Sequence, residues 1–194
     1  GNLTYFKDIG DDPKYDRLLI TFANGYHLAY ESQRKLGEVE VVEDVDVLIE
    51  EKDLGPDVLS SDFDLNAFLE ALAGRRGMIK PALMDQHLMA GIGNIYSDEI
   101  LFQVRIHPRT PVNELHEEDR KEIFHTMKEV LQTAIDCQVK HEALPDTYLI
   151  PHRDKDGTCP RCGGEVERVK VSGRSAYYCP GCYGCRSCRG ERST

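Results

Sequence analysis

The chain has 194 residues, a formal net charge of −10 and seven cysteines, with 40% hydrophobic and 30% charged residues. That balance predicts folded domains, one large or two small, and excludes a disordered tail. No apolar run reaches the ~18 residues of a membrane-spanning helix, and no signal peptide opens the chain.

The first 60 residues read as β structure. Asn24-Gly25 between two β-prone runs predicts a hairpin with a two-residue type I′ turn, which needs positive φ at both central positions. Alternation of Val, Glu, Asp and Ile over residues 38–49 predicts one or two further strands, broken at Leu54-Gly55-Pro56. These strands are too few to bury a core alone.

From Asp62 the period becomes helical. Asp64 caps a helix carrying Leu65, Phe68, Leu69 and Leu72, and Gly74 ends it. Residues 81–88 predict a short helix with Pro81 in its first turn. After the tight turn Gly91-Ile92-Gly93, a helix runs from Asn94 to Val104, with Ile95, Ile100 and Leu101 inward, and His107-Pro108 stops it. The clearest helix spans 117–137, where Ile123, Met127, Val130, Leu131, Ala134 and Ile135 keep the 3/4 spacing. His141 to Asp156 reads as a polar linker.

Six of the seven cysteines follow residue 158. Cys159-x2-Cys162 and Cys179-x2-Cys182, 16 residues apart, have the spacing of a four-thiolate zinc site. Each pair supplies two corners of a tetrahedron. A hairpin with Val166, Val169 and Val171 on one arm, Ser172-Gly173 at the tip and Tyr177-Tyr178 on the other brings the pairs together. The closed shell predicts a structural zinc ion. Regular Cys pairs in one tail fit a reducing compartment, so a cytoplasmic location is expected, nucleoid-associated in a prokaryote. Cys185 and Cys188 continue the rhythm without an assigned role. Cys137 reads as a passive thiol.

Charge is uneven: residues 1–60 carry 6 basic and 14 acidic side chains, whereas residues 151–194 carry 9 and 5. The basic tail points to a local nucleic-acid contact on an acidic body. A Gly-x-Gly turn opening a helix presents unpaired backbone N–H groups suited to a phosphate oxygen, with the Asn94 side chain and the Lys80 charge nearby.

Two motifs together, Ile79-Lys80-Pro81-x-Leu83-Met84-Asp85 through Gly93-Asn94-Ile95-Tyr96 with Ile106-His107-Pro108, and the Cys-Pro-x-Cys-Gly tail with Gly173-Arg174 and Tyr178-Cys179-Pro180-x-Cys182, resemble the formamidopyrimidine-DNA glycosylase (Fpg/Nei) family. Leu54-Gly55-Pro56-x-x-Leu59 is a similar junction, and the resemblance extends to about Tyr183. It implies an α+β architecture. A partial antiparallel β-sandwich (1–60) precedes a helix–two-turn–helix DNA-binding domain (61–150) and a C-terminal zinc-finger β-hairpin with its tail (151–194). DNA would lie across a cleft between the β and helical parts. The resemblance also implies a base-excision-repair glycosylase and AP lyase acting on oxidised bases. The partner would be double-stranded DNA with oxidised bases or abasic sites, bound by a monomer without a membrane. Lys80 and Asn94, with Gly93, would bind phosphates flanking the lesion, and Arg174 the phosphate of the flipped nucleotide. Cys159, Cys162, Cys179 and Cys182 would bind zinc. Arg34 and Leu36 occupy the loop that fills the gap left by the flipped base, with leucine replacing the family's aromatic wedge.

Family members attack C1′ with an N-terminal proline amine, followed by a glutamate, and use a lysine further along. None of these has a counterpart in the chain, so the chain alone is expected not to excise a base. The alternative is a non-catalytic nucleic-acid-binding module. Lesion class is left open, because Gln138 to Thr158 is shorter than the loop of 8-oxoguanine-recognising members.

Overall fold

In a computed structural model, residues 1–33, 35, 37–154 and 156–183 are described. Arg34, Leu36, Cys185 and Cys188 lie outside the described residues. The chain divides into two compact units, Gly1–Leu48 and Ile49 onward.

The first unit is an antiparallel sheet of β1 (Asn2–Phe6), β2 (Asp16–Thr21) and β3 (His27–Glu31), ordered β1-β3-β2. Tyr5, Leu28 and Ile20 are cross-strand partners, as are Leu3, Tyr30 and Leu18. These six side chains therefore share one face. Phe6 and Ala29 are buried on the other.

The β2–β3 hairpin forms where the Asn24-Gly25 pair predicts it, but by a different turn. Only Gly25 has positive φ (80°). Phe22 N–H donates to Tyr26 at 2.8 Å, Gly25 N–H donates to Phe22 at 3.0 Å, and the Asn24 side chain accepts from Tyr26 N–H at 3.1 Å. This is a three-residue connection in which the glycine takes the left-handed position.

The strand expected within 38–49 is corrected to a helix, α1 (Val45–Glu51). The Asp44 carboxylate accepts from Asp46 N–H at 2.8 Å, acting as an N-cap, and Asp46 places a negative charge in the first turn. A side-chain cap of this kind overrides the β preference of Val and Ile.

The second unit holds α2 (Leu65–Leu72), α3 (Ile79–Leu83), α4 (Asn94–Gln103) and α5 (Glu117–Asp136), then the hairpin β4 (Glu167–Val171) and β5 (Arg174–Tyr178). Asp64 caps α2 through Ala67 N–H at 2.9 Å. Phe63, Phe68 and Phe124 form an aromatic cluster, with ring centroids 5.7 to 6.4 Å apart. Ile123, Met127, Val130, Leu131 and Ala134 of α5 are buried as their spacing requires, whereas Ile135 is exposed. At the Leu54-Gly55-Pro56 break the chain crosses the α3–α4 connection at close range. A Cβ on Gly55 would lie 2.5 Å from the Leu88 carbonyl carbon.

α4 is the central helix. Every residue from Ser97 to Phe102 is buried, including Asp98 and Glu99. Its Phe102 reaches a second small core with Leu149, Val166, Cys159, Cys179 and Cys182, joining helices to hairpin.

The segment 141–156 is not a polar linker. Leu144, Tyr148, Leu149 and Ile150 are buried. The buried Glu99 carboxylate accepts from the N–H groups of Leu149 (3.1 Å) and Ile150 (2.8 Å). Four apolar residues clustered around two prolines bury without showing a regular period.

Candidate nucleic-acid interface and metal centre

The Sγ atoms of Cys159, Cys162, Cys179 and Cys182 all lie within 4.8 Å of one another. The pairs Cys159–Cys182 and Cys162–Cys179 are 3.6 and 3.4 Å apart. A tetrahedron with Zn–S bonds of about 2.3 Å has edges of roughly 3.8 Å, so the four thiols fit a zinc ion. The local backbone is shaped around the sulfurs. A Cβ on Gly164 would meet Cys162 Sγ at 3.3 Å, and one on Gly181 at 3.6 Å. The backbone N–H of Gly164 helps to draw the Cys162 thiol down to about 7, whereas burial pushes Cys179 up to about 11. When bound, zinc holds all four as thiolates and supplies a structural cross-link, with no position left for water.

Arg161, between the first two cysteines, ties this centre to α4. It donates to the Phe102 carbonyl (3.0 Å) and to Gln103 Oε1 (3.0 Å), and its guanidinium lies over the Phe102 ring. Arg109 donates to the Lys170 carbonyl of β4 at 2.8 Å. His107 packs edge-on against Tyr178, with centroids 4.7 Å apart. Burial, then Arg109, lowers the His107 pKa.

The hairpin tip therefore has a fixed place relative to α3. Ser172 and Gly173 both have positive φ (46° and 80°), the type I′ geometry that the sequence had promised at Asn24-Gly25. This turn delivers an exposed Arg174 to a groove of about 280 Å³, lined also by Lys80, Pro81, Met84, Asp85 and Ser172.

Lys80, read from the sequence as a point charge for a phosphate, lies beneath the surface, only 1% exposed. Its ammonium is paired with the Asp98 carboxylate and donates to the Asn94 carbonyl at 3.1 Å. Asp98 is held from its other oxygen by Arg153 (2.9 and 2.8 Å), whose guanidinium stacks on Tyr177 of β5. Burial pulls the Lys80 pKa down and pushes that of Asp98 up, each opposed by the other's charge.

The turn into α4 is pinned by Gln86. Its amide donates to the carbonyls of Met84 (3.2 Å) and Ile92 (3.0 Å) and accepts from Gly91 N–H (3.1 Å). Gly91 has φ 107°, a region L side chains avoid. Gly93 is the N-cap and has no side chain to cap the first N–H groups of α4, and the buried Asn94 side-chain oxygen has no hydrogen-bond partner among the described residues.

The structure brings Lys80 and Arg174 to one groove, ties Lys80 to the Asn94 carbonyl at the entry of α4 next to Gly93, and brings the four cysteines to one centre. Sequence reasoning missed Gln86, Asp98, Arg109 and Arg153. Gln86 sits inside the quoted motif, the one available signal; the others act across 55 to 61 residues of chain.

A pair of helices joined through a pinned Gly-x-Gly turn, followed by a hairpin closed by four clustered cysteines, is the arrangement of a helix–two-turn–helix domain with a zinc finger. Residues 54–143 match the family described as the formamidopyrimidine-DNA glycosylase H2TH domain, and residues 157–183 the zinc finger found in FPG and IleRS. The chain is 35% identical to the formamidopyrimidine-DNA glycosylases of Chloroflexus aurantiacus and Streptococcus pneumoniae. In both alignments 94% of this chain is covered, with 69% and 71% of those proteins. It superposes on the Lactococcus lactis Fpg in complex with DNA containing an abasic site (TM-score 0.74, 31% identity, 94% and 71% of the two chains). A MutM complex with DNA containing carbocyclic 8-oxo-G gives a TM-score of 0.75 at 31% identity, covering 94% and 70%. The chain belongs to the formamidopyrimidine-DNA glycosylase family.

Proposed function

We propose that this chain is the DNA-gripping portion of a base-excision-repair glycosylase, holding duplex DNA with an oxidised base or an abasic site. The observation that carries this reading is the shared groove of Arg174 and Lys80, with Lys80 bonded to the first residue of α4. Arg174 and the α4 N-terminus with Asn94 then take phosphates on either side of the lesion. Lys80 acts from below by fixing the Asn94 backbone, and together with Arg153 it leaves the cluster around Asp98 with two cations to one carboxylate. Zinc holds the hairpin so that Arg174 needs little ordering on binding.

The proline amine and glutamate with which the family attacks C1′ have no counterpart among the 194 residues. The chain alone is therefore proposed to bind DNA without excising a base or cleaving an abasic site.

Binding of the zinc-loaded chain to a duplex with an abasic site tests the grip. Arg174→Ala is expected to lower affinity and to flatten the salt dependence by about one phosphate contact. An Arg174→Ala chain with wild-type affinity at low salt would remove this site. Borohydride trapping on the same duplex tests the second statement, and a covalent adduct would overturn it.

A further inference from the structure

The β4–β5 hairpin is held firmly at its root. The four cysteines, the bond from Arg161 to Phe102 and the stacking of Arg153 on Tyr177 all act at that end. Arg174 stands at the other end, where it pairs with Val171 and where Lys170 pairs with Ser175. Val171 is buried there, but an apolar contact has no preferred direction. The bond from Arg109 Nη2 to the Lys170 carbonyl, at 2.8 Å, is directional.

The loop that carries Arg109 is braced on α3. Its neighbours Pro108 and Thr110 accept from the N–H groups of Lys80 (3.4 Å) and Ile79 (2.8 Å), the first residues of that helix. Val112 N–H donates to Gly77 at 2.8 Å, and Met78 and Pro111 form an antiparallel bridge. Arg109 N–H itself donates to His107 Nδ1 at 3.2 Å. The Arg109 side chain therefore spans from the backbone that holds Lys80 to the residue preceding the partner of Arg174.

We propose that Arg109 is a positioning residue for DNA binding. By holding the Lys170 carbonyl it sets where Arg174 stands relative to Lys80 and α3, and it takes no phosphate itself. This rests on the DNA-binding reading above. Arg109 is exposed, so its bond competes with water and adds little to the stability of the fold. Its loss frees the tip sideways, and DNA binding must then remove that freedom.

The test measures binding of the 194-residue, zinc-loaded chain to a labelled duplex carrying a tetrahydrofuran abasic analogue, over a series of salt concentrations. Arg109→Gln should weaken binding about 3- to 10-fold, the scale of one such bond. In an Arg174→Ala background the same change should alter affinity by less than about twofold and leave the slope of log K against log salt unchanged, because its effect runs through Arg174. An equal loss in both backgrounds, with the slope falling by about 0.9, would make Arg109 a phosphate contact and overturn the proposal. Arg109→Lys keeps the charge on a compact ammonium without the planar fork and should bind like Arg109→Gln. Full recovery with lysine also overturns it. Melting temperature and zinc content should stay at wild-type values in both Arg109 variants. A drop that tracks the loss of affinity would assign Arg109 to the fold alone. If Arg174→Ala weakens binding while Arg109→Gln does not, the positioning role falls and the grip stands. If Arg174→Ala binds like the wild type, the reading beneath the proposal falls with it.

Discussion

The Lys80 ammonium and the Asp98 carboxylate form an ion pair sealed from solvent, with side chains 1% and 0% exposed. Arg153 holds the same carboxylate from the hairpin side, so Asp98 joins α3, α4 and β5. A buried pair adds little net stability compared with an apolar core, but removing one partner strands the other. Asp98→Asn leaves two cations facing a neutral amide. It is expected to cost about 3–5 kcal/mol in urea denaturation of the zinc-loaded chain. Lys80→Met should cost less, because Asp98 keeps Arg153. Equal costs for the two variants would show that Lys80 alone balances Asp98.

The zinc centre should stabilise the hairpin and its seam with α4, leaving the helical core intact. The core built on Phe63, Phe68 and Phe124 shares no residue with the cluster of Phe102, Leu149 and the cysteines. Stripping zinc with a chelator, or changing Cys182→Ser, is expected to abolish DNA binding and expose the amides of β4 and β5 to hydrogen exchange. The α5 amides should keep their protection. Loss of protection along α5 as well would show that the two cores fold as one.

What the sequence disclosed and what it hid divide along range. The zinc ligands, the Asp64 cap and the Gly-x-Gly turn are set by neighbours within a few residues, and their geometry is readable from spacing. The burial of Asp98 and Glu99 is not, because periodicity assigns charged residues to the solvent side. Lys80, which pairs with Asp98, lies 18 residues upstream, and Arg153, Leu149 and Ile150 lie 50 or more residues downstream. The same blindness made 141–156 look like a linker, since its apolar residues answer to a carboxylate on α4. α1 departs from the strand that its alternation predicts for the opposite reason. A local cap from Asp44 outweighs an alternation that looked like a strand. The I′ turn was the right device placed on the wrong hairpin, because Asn-Gly is a stronger signal than Ser-Gly and either pair can adopt it.

His107 makes the seam between α4 and the hairpin sensitive to acid. Its Nδ1 accepts from Arg109 N–H at 3.2 Å, which needs the neutral ring, and its pKa is lowered by burial and by Arg109. The unfolded chain takes up this proton near pH ~6.5, while the folded chain resists it. The stability that His107 contributes is therefore complete above that pH and is lost as pH falls below it. Melting temperatures measured from pH 7.5 to 5.5 should drop more steeply for the wild type than for His107→Asn, which keeps an acceptor and does not titrate. Zinc loss affects both chains and cancels in the comparison. Parallel curves would remove His107 as the cause.

Gln86 separates fold from grip. Its side chain makes three hydrogen bonds to the backbone at Met84, Gly91 and Ile92, holding the turn that aims the α4 N-terminus outward. Gln86→Ala strands those groups in a half-buried site, at roughly 1–3 kcal/mol each at the upper limit if water does not replace the bonds. Gln86→Glu is the more informative change. It keeps the acceptor for Gly91 N–H, loses the donors, and places a negative charge behind the surface proposed to meet a phosphate. Its melting temperature should therefore stay above that of Gln86→Ala while its DNA affinity falls below it. If the two properties fall together in both variants, the turn serves the fold alone, and the phosphates are held by Arg174 and the rest of the groove.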